Sequence, residues 1–228
     1  ATTREHKFKR TDLARMWGDS PYLLWGSTSE ERLVKVRGPN SQVAKFKPNL
    51  CMPCNSTKSQ TFDAAYDQYA DFVWRNMDLL WGKRWIDMAE IYGSSWRDGV
   101  MNLAKYFAKH IGCRIVDDGF KVPRSIPSFL DGVTDRIPDV HMVLFKDPMI
   151  WRYRQEGKKA GVEAAGLHMA PAFGAVSPSR KCLTMYSGES ALGLIGIKYR
   201  WEEGEVNADP FYLYRTARLY RRDELPDV

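Results

Sequence analysis

The amino-acid sequence predicts an α+β fold. Apolar residues Phe62, Ala65, Tyr66, Tyr69, Phe72 and Val73 recur at helical spacing. Val100, Leu103, Ala104, Phe107 and Ile111 form a second such stripe. Beyond Pro123 the helical period gives way to short apolar runs divided by prolines at 123, 127, 138, 148, 171 and 178, the signature of strands joined by turns. A chain of 228 residues suits one large domain or two small ones. At that size folding buries roughly 70% of the surface the unfolded chain exposes, so disulfide staples are not required.

Taken in order, residues 1–10 are polar and basic around Glu5-His6 and fit strand or loop. Leu13, Met16 and Trp17 make Asp12 to Trp17 a short amphipathic helix, which Gly18-Asp19-Ser20-Pro21 ends. Residues 32–47 read as a hairpin. Leu33, Val34 and Val36 precede the turn residues Gly38-Pro39-Asn40-Ser41, and Val43, Ala44 and Phe46 follow. Lys35, Arg37, Lys45 and Lys47 alternate with them and form a cationic face. Pro53 suits the first position of a helical turn over 53–58. A helix then covers about Thr61 to Arg75, with Asp63, Asp67 and Asp71 along another face, most simply a solvated one. Residues 76–98, with Trp81, Trp85, Gly82 and Gly93, read as strand or loop. The next helix spans Trp96 to His110, with Gly112 as its C-cap and His110 as a structural residue of its last turn. Strands follow at 140–145, 169–176, 182–186, 192–201 and 211–220. Arg215, Arg218, Arg221 and Arg222 interleave with Tyr214 and Tyr220. That pattern suits nucleic-acid contact, but an amphipathic edge strand is the simpler reading.

Charge and cysteine usage narrow the function classes. Residues 1–60 hold eleven Lys/Arg against five Asp/Glu, whereas the rest of the chain holds twenty-three of each, so the net charge of +6 resides in the first quarter. A basic segment concentrates a polyanion and releases its counterions on contact. Cys51, Cys54, Cys113 and Cys182 offer one close pair, a poor disulfide framework that suits a reducing, cytoplasmic setting. No apolar run approaches the ~20 residues of a membrane span, and no secretory signal pattern is present.

Within the basic segment lie Thr3-Arg4-Glu5-His6 and, farther on, Cys51-Met52-Pro53-Cys54-Asn55-Ser56-Thr57-Lys58-Ser59. Phosphodiester hydrolysis needs a base for water, a divalent cation on the phosphate and cations along the backbone. A histidine is largely neutral at pH 7, and carboxylate or amide oxygens suit magnesium or manganese. Glu5 and His6 would point to opposite faces of a regular strand, so both reach one site only if the backbone bends.

Together these two stretches resemble the HNH endonuclease superfamily, in a form with Glu-His first and Cys-x-x-Cys-Asn last. The resemblance implies an N-terminal ββα-metal module over residues 1–76, ahead of a helical segment and a β-rich part that form an accessory domain over 77–228. It implies a metal-dependent endonuclease acting on DNA, with His6 as general base, Asn49 as a second catalytic residue, and Glu5 and Asn55 on magnesium or manganese. Cys51 and Cys54 would be half of a structural zinc site. Arg4, Lys7, Lys9, Arg10, Lys35, Arg37, Lys45, Lys47 and Lys58 would hold nucleic acid. The sequence departs from the family pattern in three places. No second Cys-x-x-Cys is present, the middle asparagine's usual position holds Phe46, and the last metal residue is Asn rather than His. Such departures keep open a non-catalytic nucleic-acid-binding or assembly protein on the same scaffold, and the aromatic C-terminal part suits a protein partner.

Overall fold

The computed structural model describes residues 2–17, 23–25, 34–36, 38, 40–161, 166–179, 181–204 and 210–226. Contacts divide the chain into two compact units, Ala1–Lys58 and Ser59–Val228. The sequence-based boundary near residue 76 falls instead at a kink within the helical stretch Gln60–Gly82.

The first unit is built from short elements. They are β1 (Thr2–Thr3), α1 (Arg10–Trp17), β2 (Leu23–Trp25), β3 (Val34–Val36), β4 (Leu50–Cys51) and α2 (Met52–Asn55). The expected hairpin over 32–47 is not formed as read. β3 pairs antiparallel with β2, placing Val36 opposite Leu23. Residues Gln42–Ala44 instead curl into a 3-10 turn, with Ala44 N donating to Ser41 O and Lys45 N to Gln42 O. That turn redirects 45–51 onto the N-terminal segment. Alternation survives the change of partner, because Ala44 and Phe46 are buried while Lys47 is exposed. Phe8, Leu13 and Val36 are the other buried apolar side chains among the described residues of this unit. Arg37 lies outside the described residues.

The second unit begins with α3 (Gln60–Gly82), whose buried residues include the predicted stripe positions Phe62, Ala65, Tyr66, Tyr69 and Val73. The sequence ends this helix at Arg75. The structure bends it there instead: Asn76 leaves helical geometry, and its Nδ2 donates to Phe72 O at 2.8 Å. Met77 and Leu80 then extend the buried stripe. β5 (Trp85–Asp87) and α4 (Met88–Tyr92) lead into α5 (Trp96–Asp117), which is buried almost all round from Leu103 to Ile115.

Gly112 does not cap α5. It packs within the helix, where an added Cβ would sit 3.5 Å from Ile126 and 3.6 Å from Val122. The helix ends at Asp117, and Gly119, two residues on, turns the chain with φ of +90°. Phe120 N donates to Ile115 O and Gly119 N to Val116 O, the paired bonds of a Schellman cap. His110 is buried in the helix interior.

After α6 (Ser125–Leu130) come β6 (Val140–Lys146), α7 (Pro148–Lys159), β7 (Leu167–Met169), β8 (Phe173–Ser177), β9 (Cys182–Leu192), β10 (Ile195–Glu202) and β11 (Thr216–Arg221). The expected strand at 169–176 is split into β7 and β8 around Pro171. Residues Phe211–Leu213 form a 3-10 turn, so the last strand starts only at Thr216. The sheet order is β5-β11-β6-β10-β9-β7, with β8 also on β9. All pairings are antiparallel except β11 with β6.

One sheet face meets the helices. Met142 and Leu144 of β6 lie opposite Tyr199 and Ile197 of β10, and all four join the cluster formed by α3 and α5. Tyr66 and Tyr106 stack between those helices with ring centroids 4.0 Å apart. β11 lies inside the sheet between β5 and β6, so the edge-strand reading of 211–220 is corrected; β5 holds the edge. Among the described residues no helix is long and apolar enough to cross a membrane.

Candidate functional site

The two predicted stretches, some fifty residues apart in sequence, are brought together by strand pairing. β1 pairs antiparallel with β4, setting Thr2 opposite Cys51 and Thr3 opposite Leu50. Asn49 N donates to Thr3 O at 3.1 Å, Phe46 N to Glu5 O at 2.9 Å, and Lys7 N to Ala44 O at 2.8 Å. His6 bridges to Lys45. The register slips between the Thr3–Leu50 pair and the His6–Lys45 bridge, across the stretch holding Pro48. Glu5 therefore sits in irregular backbone between two paired points. This is the local departure from a regular strand that two neighbouring side chains need if they are to face one site.

α2 follows β4 directly. Pro53 stands in its first turn, and Cys51 caps it by accepting from Cys54 N at 3.2 Å. Asn55 ends the helix, and its Nδ2 donates to Arg4 O at 3.5 Å. The amide thus lies against the backbone just before Glu5-His6. Asn55 Oδ1 is buried and accepts no hydrogen bond among the described residues. A buried amide oxygen left without a donor is costly, and a hard cation is one group that satisfies it. Glu5, His6, Asn49 and Asn55 are all half-buried, and His6 Nε2 and Asn49 Oδ1 are buried atoms like Asn55 Oδ1.

The metal expectations divide. Among the described residues no three His, Cys, Asp or Glu side chains converge as a metal group. A magnesium-type ion tolerates that, since it commonly takes one or two protein oxygens and keeps its waters. A structural zinc needs four ligands. Cys51 and Cys54 are instead joined to each other as a disulfide, with Cα atoms 5.2 Å apart. The reduced pair expected from the sequence is thus replaced by a cross-link, because the proline turn brings the N-cap thiol onto the third helical residue. These residues alone do not fit a closed zinc site.

The basic residues are spread over several elements. Arg4, Arg10, Lys35, Lys47 and Lys58 are exposed, and Lys7, Lys9 and Lys45 are half-buried. Arg4 Nη1 donates to Gln42 Oε1 at 2.6 Å, and Lys7 Nζ lies 5.9 Å from the Phe46 ring centre. Asp63 belongs to the second unit. It accepts from Lys109 Nζ at 3.0 Å and from Ser59 Oγ at 3.0 Å, so it acts in an ion pair at the start of α3.

Sequence reading missed a charged cluster in the second unit. Arg222 Nη2 donates to Glu189 Oε1 at 2.6 Å and to Asp147 Oδ2 at 3.3 Å. His168 lies between the same carboxylates, 3.8 Å from Asp147 and 3.6 Å from Glu189. Burial opposes the Glu189 charge, yet His168 and Arg222 hold its carboxyl below the usual range. Asp147 also caps α7, accepting from Met149 N and Ile150 N. The four residues come from four separated segments, and no short motif announces them.

No protein-family model, curated protein or solved structure matches the chain.

Proposed function

We propose that the chain is a metal-dependent endonuclease that hydrolyses DNA phosphodiester bonds in the cytoplasm, using a site on the first unit. The observation that carries this reading is the pairing of β1 with β4, which sets Asn55 against the backbone beside Glu5-His6 with its Oδ1 buried and unbonded among the described residues. Glu5 and Asn55 would hold magnesium or manganese, which supplies charge neutralisation on the phosphate when bound. His6 takes the proton from the attacking water. Asn49, just ahead of β4, orients the His6 segment through its backbone bond to Thr3. Arg4, Lys7, Lys9, Arg10, Lys35, Arg37, Lys45, Lys47 and Lys58 hold the backbone electrostatically. When reduced, Cys51 and Cys54 would offer two thiolates to a zinc ion that finds its other ligands elsewhere.

The test is plasmid nicking with magnesium or manganese. Wild type should nick, and His6→Ala should lose at least about a hundredfold in rate, the scale of general-base catalysis. Metal-dependent nicking that survives His6→Ala sinks the mechanism. Salt-sensitive DNA binding without nicking in the wild type favours the second reading, a binding protein on the same scaffold. The neutral Asn55 at a metal position is the feature that favours that reading.

A further inference from the structure

The disulfide between Cys51 and Cys54 closes across Met52-Pro53. Its two ends stand on different elements. Cys51 is the last residue of β4 and lies opposite Thr2 of β1, whereas Cys54 is the third residue of α2. The bond therefore fixes the angle at which the turn leaves the strand. A chain of this length buries enough surface to fold without staples, so the bridge is not a structural necessity. Cys51 is exposed and Cys54 half-buried, so an incoming thiol meets the Cys51 side. Exposed disulfides are the ones that exchange readily and serve regulation. The other two cysteines are free thiols, Cys113 buried in α5 and Cys182 half-buried at the start of β9.

What the bridge holds is the residue beside it. α2 is a single turn of four residues, far shorter than a helix that stands alone in water. Within the turn, Ser56 N and Oγ donate to Met52 O at 3.0 and 2.7 Å, and Lys58 N donates to Pro53 O at 3.0 Å. Two further bonds tie the turn back. Cys54 N donates to Cys51 Sγ at 3.2 Å, and Asn55 Nδ2 donates to Arg4 O at 3.5 Å. The second lies at the long limit of a hydrogen bond and is weak. The covalent bond, one residue from Asn55, is the strongest of these ties.

We propose that Cys51 and Cys54 form a redox switch: oxidised, the pair holds Asn55 beside Glu5-His6, and reduced, it releases the turn. The reductant is a thiol. Its thiolate attacks the exposed Cys51 sulfur, forms a mixed disulfide and expels the Cys54 thiolate, which takes up a proton. A second thiol then attacks the sulfur of the first and expels Cys51. Two electrons pass to the protein, and the two thiols leave as their own disulfide. The consequence for DNA cleavage rests on the nuclease reading, because release of Asn55 separates the two residues assigned to the metal. The thiol exchange and the release of the turn do not depend on it.

The experiment uses the full chain, oxidised with glutathione disulfide or reduced with glutathione. Denaturing maleimide labelling and mass spectrometry should count two labels on the oxidised chain and four on the reduced one. Cys182→Ser should lower both counts by one, which assigns the bridge. A pair that glutathione leaves oxidised overturns the proposal. So does a pair that never oxidises and carries bound zinc in metal analysis. Hydrogen exchange then compares the two wild-type forms, so no variant has to fold. The amides of Ser56 and Lys58 should exchange about tenfold faster on reduction, while those of α5 stay unchanged. Equal exchange at 54–58 in both forms overturns the switch. Plasmid nicking with manganese should fall at least about tenfold on reduction and recover on reoxidation. A wild type that nicks in neither form overturns the nuclease reading, while labelling and exchange still decide the switch.

Discussion

The two units solve the folding problem differently. Residues 59–228 bury a continuous core, in which α3 and α5 cover a sheet face lined by Met142, Leu144, Ile195, Ile197 and Tyr199. Among the described residues of 1–58 the strands are two or three residues long, and the buried apolar side chains are few: Phe8, Leu13, Val36, Ala44 and Phe46. The candidate chemistry lies in the sparse unit. A site that must admit metal and a phosphate backbone keeps its polar groups partly exposed, and such groups cannot also supply a core. With so few buried apolar side chains among its described residues, local opening there should be cheap compared with the second unit.

Core truncation gives the largest effects. Leu103→Ala, at a fully buried position of α5, should cost about 4 kcal/mol, read as a lower denaturant midpoint and lost amide protection in α3 and α5. Phe46→Ala should cost about 3 kcal/mol, read as lost protection at residues 5–7 and 43–47. If wild-type amides at 5–7 and 43–47 already exchange as slowly as those of α5, the contrast between units fails.

A smaller effect should come from the charged cluster. Asp147→Ala removes the α7 cap and leaves Arg222 with Glu189 alone, which should cost about 2 kcal/mol and lower the thermal midpoint. An unchanged midpoint would show that the cluster is not structural.

The smallest effect is acid linkage at Asp78. Hydrogen bonds from Arg154 and Lys158 hold its carboxyl down at about 2, against an ordinary 3.8. A depressed carboxyl binds fewer protons folded than unfolded. Its contribution is therefore complete above about pH 4 and is lost as pH falls toward 2. The side chain is half exposed, so the contribution is below about 1 kcal/mol. Comparing wild type with Asp78→Asn by urea denaturation at pH 6 and at pH 2.5 checks it, since the difference between them should shrink at the lower pH.

Much of the helical layer was legible in the sequence. The stripe from Phe62 to Val73 is a local pattern, and the structure buries it as read apart from Phe72, which is half-buried against the core. Boundaries were less legible. Asn76 reads as an end but is a bend, because a side-chain amide replaced part of the helical bonding and apolar residues continued beyond it. Gly112 reads as a cap but lies inside the helix, while the left-handed turn fell to Gly119. The Val140–Lys146 strand was clear from composition. The Val34–Val36 partner was not, since alternation fixes which side is buried and says nothing about which strand lies alongside.

For the candidate site, the sequence by itself determined the chemical inventory: a glutamate and histidine side by side, a Cys-Met-Pro-Cys-Asn turn, and positive charge concentrated around them. Tertiary structure decided what that inventory can do. It brought Asn55 to the backbone of Arg4, slipped the strand register around Glu5, closed Cys51 onto Cys54, and assembled Asp147, His168, Glu189 and Arg222 from four distant segments. Residue type and local periodicity are properties of neighbours in the chain. Register and convergence depend on which distant segments lower the free energy by pairing, and that choice is made by the whole fold.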